Sequence, residues 1–159
     1  MQETVMNGKR WAGAIAGGLV AGLGITALLV AGERKSGEPS ELAQLERAAA
    51  AKIGRTPPPA DQRPDAREQA VVQGAHLLLS VLAGMAYAAA TDDEAAIVPS
   101  GIGFGLAFYT LAHWVAGPAL GLKRPEWESD GKTIAMHTLN HLVFGLAVAG
   151  GAKAAARAS

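Results

Sequence analysis

Four stretches of this chain contain no Asp, Glu, Lys or Arg: 11–32, 70–90, 95–122 and 133–152. Each holds 20 residues or more. A helix rises ~1.5 Å per residue, so each is long enough to cross a hydrocarbon core of ~30 Å. A bilayer offers the backbone no water, and only helices or closed barrels satisfy it there. The stretches show no apolar/polar alternation, which argues against a barrel. The expectation is an all-α membrane protein: a four-transmembrane-helix bundle in one domain, with helices at about 11–32, 70–90, 97–120 and 132–152. The first apolar run exceeds the ~7–15 residues of a signal-peptide core and is read as a retained helix.

The connection 33–69 is polar. Ser40 can cap a short helix over 41–53, in which Leu42, Leu45, Ala49 and Ile53 recur at helical spacing. Glu41, Glu46, Arg47 and Lys52 supply its charge. The pattern is that of a short amphipathic helix, either lying at the membrane surface or packed on the loops in solvent. Pro57, Pro58 and Pro59 follow as a stiff spacer.

Net charge is zero and the basic residues form no stripe, which gives no argument for nucleic acid as a partner. The chain has no cysteine, so no disulfide or thiolate metal site can form. Of the 14 Lys and Arg, only Lys9, Arg10, Lys153 and Arg157 fall in the terminal segments. The rest lie in the connections 33–69 and 123–132. The positive-inside rule then places both of these connections in the cytoplasm and both termini outside. Trp11, Trp114 and Trp127 suit interfacial anchors. Gly13/Gly17 and Gly18/Gly22 have the small-xxx-small spacing of close helix packing, within one bundle or between chains.

All four histidines, His76, His113, His137 and His141, fall in the charge-free stretches. With this topology they form a belt in the cytoplasmic half, contributed by three helices, with Thr26 of the first helix at similar depth. On the second helix Gln73, His76, Ser80, Gly84 and Tyr87 make one polar stripe, expected to face the bundle interior. Three roles are open to the belt. Neutral imidazoles can hold a transition metal or haem, with His76, His113, His137 and His141 as the ligand candidates. They can relay protons or contact a substrate, or they can hydrogen-bond between helices. No carboxylate lies within the apolar stretches, so a metal there is expected to have neutral ligands only. His137 and His141 are spaced i, i+4 as in a metalloprotease helix, but Thr138, Leu139 and Asn140 between them include no glutamate base. Gly131, Lys132 and Thr133 echo a P-loop, yet Glu126 stands where its first glycine belongs.

The second half resembles the YagU-like family of small bacterial inner-membrane proteins of uncharacterised function. The matching stretches are 73–87 (QGAHLLLSVLAGMAY), 101–122 (GIGFGLAFYTLAHWVAGPALGL) and 137–145 (HTLNHLVFG). Their shared plan is a His early in one helix, a Gly-rich helix ending P-x-L-G-L, and a last helix with H-L-V-[YF]-G. Here those positions are His76, 118–122 and 141–145. The resemblance implies a bacterial inner-membrane location and no particular activity. The leading expectation is a non-enzymatic multipass protein in the lipid bilayer, as an accessory subunit of a larger membrane complex or as a homo-oligomer. The alternatives are the metal or haem site and a small transporter or proton-linked channel. A channel needs a continuous polar path, whereas Tyr87 is among the few polar groups of the extracellular half.

Overall fold

The computed structural model describes residues 2–158, with side chains described for 8–158. The described residues form helices and no strand. In chain order they are α1 (Gln2–Ser36), α2 (Glu41–Lys52), α3 (Ala66–Ala90), α4 (Ile97–Tyr109), α5 (Gly117–Ala119) and α6 (Gly131–Arg157). A π-helical segment, Thr110–Ala116, joins α4 to α5 without a break, and a 3₁₀ turn, Glu126–Glu128, precedes α6.

Three helices are long and apolar enough to cross a membrane: Gly8–Ser36, Ala66–Ala90 and Gly131–Arg157. The fourth apolar stretch is helical as well, but the π segment divides it into shorter pieces. In that segment the Gly117 N–H donates to Ala112 O, five residues back. This is the widened pitch that admits one extra residue per turn.

Helix ends follow local capping chemistry. Ser40 accepts from Ala43 N, Asp65 from Glu68 N, and Asp130 from Lys132 N and Thr133 N. Each thereby satisfies an N–H that the first helical turn leaves open. Gly37 takes a φ of 81° just after α1, a left-handed conformation that glycine adopts at little cost.

The long helices stand in the order α3, α1, α6, α4, with α1 and α6 at the centre. Backbones touch along these seams. A Cβ on Gly13 or Gly17 would collide with the α6 carbonyls of Gly151 or Ala147, and one on Gly18 would meet Ser80 O of α3. Gly145 of α6 lies against Gly101 O and Gly105 of α4. The two glycine pairs of α1 thus serve different neighbours inside the same chain. In lipid, where apolar surface gives helices little reason to associate, such close van der Waals contact holds them together. The buried core, including Ala14, Ala83, Tyr87, Phe144 and Val148, occupies the half of the bundle nearer the α3–α4 turn.

That turn is tied down by charge. Arg10, 6% exposed, pairs with Asp93 at 2.9 Å and donates to Ala88 O at 2.6 Å and Thr91 Oγ1 at 3.0 Å. Lys153 donates to Asp93 O at 2.6 Å. Tyr87 Oη and Ser100 Oγ lie 2.7 Å apart, joining α3 to α4.

At the opposite end, α2 folds back onto α3. Arg47 was expected on the charged face of α2; instead it is buried at 5% exposure. Its guanidinium bonds Glu68 at 2.6 Å and donates to Pro59 O and Gln62 O. The five donors of arginine saturate the carbonyls of a loop that cannot pair them itself, and this explains why the residue turns inward. Glu33 at the end of α1 accepts from Ser40 N at 2.9 Å and from Gln69 Nε2. It thereby links α1, α2 and α3.

Candidate functional site

Two carboxylates from outside the apolar stretches reach the histidine-bearing end of the bundle. Glu126 belongs to the turn before α6, and its side chain is fully buried. Glu41 opens α2. Between them sits Lys123, which follows the left-handed Gly121. Lys123 Nζ lies 2.6 Å from Glu41 Oε1, 2.7 Å from Glu126 Oε2 and 2.9 Å from His113 Nδ1.

His137 bridges the other oxygen of each carboxylate. Its Nδ1 lies 2.6 Å from Glu126 Oε1, and its Nε2 lies 2.7 Å from Glu41 Oε2. Ionised carboxylates only accept, so both ring nitrogens donate and the ring is an imidazolium. Two carboxylates, one ammonium and one imidazolium sum to zero. That balance lets charged groups sit so deep, because a buried charge is tolerated when paired and hydrogen-bonded. Tyr109 Oη completes the shell by donating to Glu126 Oε1 at 3.0 Å.

The same balance governs the carboxyl groups. Burial pushes Glu41 upward, but the bonds and charges of His137 and Lys123 outweigh it and hold Glu41 at about 2. For Glu126 burial also acts upward, and Lys123 and His137 again win, holding it at about 2. Lys123 is pushed down by burial, yet its bonds to Glu126 and Glu41 raise it above the usual lysine value.

Beside this cluster lies a cavity of about 410 Å³, between α3 and the π segment with α2 above it. Leu42, Leu79, Phe108, Leu111 and Phe144 supply apolar wall, and all four histidines contribute to its lining. Three of them are neighbours: the His113 ring centroid is 4.5 Å from that of His137 and 5.0 Å from that of His141. His76 stands apart on α3, bonded to Thr26.

Hydrogen bonding sets two tautomers. Thr26 Oγ1 donates its single proton to Gln73 Oε1, so it accepts from His76 Nδ1 at 3.1 Å. His141 Nδ1 donates to His137 O at 2.8 Å. In both rings Nε2 is the nitrogen left for the cavity.

The belt read from sequence is therefore divided. Among the described residues, the group with the spacing of metal ligands is Glu41, His113, Glu126 and His137, whose ligand atoms all lie within 4.8 Å of one another. His76 and His141 are outside it. The expectation of neutral ligands alone fails for this group, because Glu41 and Glu126 come from flanking segments. The sequence offered little to find them by: Glu41 stands two positions after Pro39 and Glu126 directly after Pro125, as ordinary loop and helix-end charges do.

No family model, curated protein or solved structure matches the chain.

Proposed function

We propose that this chain is a non-enzymatic multipass protein of a bacterial inner membrane that binds a small lipophilic molecule bearing a hydrogen-bond donor. Four crossings, with both termini outside and α2 on the cytoplasmic face, are part of the proposal. Three long apolar helices, the lysine and arginine asymmetry and the YagU-like motifs support it. The helical run 97–119 supports a fourth crossing, since 23 residues at ~1.5 Å reach about 34 Å.

The observation that carries the binding reading is the cavity itself. Its volume suits a small ligand and its wall is mostly apolar. His76 and His141 each spend Nδ1–H on a protein oxygen, so each can offer the Nε2 lone pair to an occupant. Such a pair of acceptors selects a hydroxyl or amine donor on an otherwise apolar body. Gly13, Gly17, Gly18 and Gly22 pack against α6 and α3 within the chain, and the binding reading rests on the cavity.

The test is binding of a short-tailed hydroquinone to the full-length protein in mild detergent, with the matching quinone, which lacks donors, as control. Saturable binding is expected for the hydroquinone. His76→Leu and His141→Leu should each raise its Kd about tenfold, the equivalent of one lost hydrogen bond of ~1.4 kcal/mol. Equal affinity for quinone and hydroquinone, or indifference to both substitutions, would overturn the reading.

A further inference from the structure

Lys123 Nζ occupies a position with three potential metal ligands around it: Glu41 Oε1, Glu126 Oε2 and His113 Nδ1. His113 Nδ1 lies 3.4 Å from Glu126 Oε2 and 3.9 Å from Glu41 Oε1. Ligand atoms bound to zinc at ~2.0–2.2 Å stand about 3.4 Å apart in a tetrahedron. The three atoms are thus close to the separation that one small cation imposes, and a cation, the ammonium, already sits among them.

The surroundings are those of a metal site as well. The oxygens that do not face Lys123 are held by His137, one on each carboxylate, and Glu126 Oε1 takes a further bond from Tyr109. Hydrogen bonds of this kind fix the orientation of liganding carboxylates and are as much a part of metal sites as the ligands. The three donors come from α2, the π segment and the turn before α6, so a bound ion would tie three separate parts of the chain together.

We propose that Glu41, His113 and Glu126 form a binding site for a divalent transition cation of the zinc class, in exchange with the Lys123 ammonium. Imidazole and carboxylate are suitable ligands for zinc, and three protein ligands leave a fourth coordination position for water, with the ion itself taking the place of Nζ. Lys123 is a strongly hydrated point charge on a flexible four-carbon stem, so it can withdraw toward solvent when the ion enters. Its presence makes the site conditional: the metal must compete with a tethered cation at high local concentration.

This competition gives the test. Lys123→Met in the full-length protein removes the tethered cation and leaves the buried Glu126 carboxylate facing the half-buried Glu41. Its thermal midpoint should fall without metal and recover when Zn(II) is added. Zn(II) should bind the variant at least tenfold more tightly than the wild type. Co(II), used as a visible probe, should give d–d absorption that disappears when Glu126→Gln or His113→Phe is added. If Lys123→Met folds only when cells are grown with Zn(II), that dependence supports the site. A variant unresponsive to Zn(II), one not recovered even with Zn(II), or Co(II) absorption that survives both ligand substitutions would overturn it. A cavity that fails to bind hydroquinone leaves these outcomes unchanged, since neither His76 nor His141 is a ligand.

Discussion

The two ends of the bundle both bury charge, but they do so differently. At the α3–α4 turn, Arg10 and Lys153 reach mainly backbone carbonyls, with Asp93 the one acidic partner, and the helices beneath are packed solid. At the α2 end, four charged side chains bond one another beside a cavity of about 410 Å³. One arrangement closes a turn. The other holds ionisable groups in a mutual balance that an incoming ligand or ion can alter. Function is expected where the charges answer to each other, because there a change in one partner is felt by all of them.

The comparison can be broken at several levels. Gly145→Leu strikes the seam shared by both ends, since a side chain at Gly145 would enter the α4 backbone. It should cost more than ~3 kcal/mol and abolish a single monodisperse species on size-exclusion chromatography. Glu126→Ala comes next. It leaves Lys123 and His137 without the only fully buried acceptor they share, a loss of about 3–5 kcal/mol read from the unfolding midpoint. Arg10→Ala, at the other end, removes one ion pair and bonds that the turn can partly replace with water, and about 2 kcal/mol is expected. If Arg10→Ala proves costlier than Glu126→Ala, the distinction between the two ends fails.

Acid should loosen the α2 end. Glu41 and Glu126 ionise at about 2 in the folded chain, below the ~4.3 of a free glutamate. A lowered folded value means the stabilisation is complete above the unfolded value and is lost as pH falls from there through about 2. Fluorescence of Trp127, which neighbours Glu126 and lies 6.0 Å from the Trp114 ring, should report that loss over this interval. The smallest effect belongs to Glu128→Ala. Its partner Arg124 is 87% exposed, so the midpoint should move by less than ~0.5 kcal/mol.

Much of the scaffold was legible in the sequence because it follows from local rules. Charge-free runs marked the long helices, Ser40 marked the start of α2, and the polar stripe on α3 pointed inward at Ser80, Gly84 and Tyr87. The site was legible only by half. The histidines stood out by their cost in hydrocarbon. Glu41, Lys123 and Glu126 did not, because as ordinary loop and helix-end charges they resemble solvated ones. Their roles depend on α2 and the 126–128 turn folding back over the bundle, a tertiary event with no periodicity to announce it. Arg47 was misread for the same reason: a charged residue on an amphipathic helix is usually outside, and here the carbonyls of the following loop needed a donor.

The π segment has a consequence for how such a site is gained or lost. Deleting Leu111 or Ala112 would let Thr110–Ala116 relax to ordinary helical pitch, re-aiming the side chains within it while the turns on either side keep their places. Hydropathy would barely change, and the segment would remain as long as a membrane requires. His113, however, would point elsewhere. The chemistry at this end therefore depends on a residue tally as much as on residue identity. A chain one position shorter here could keep every named side chain and still lack the site.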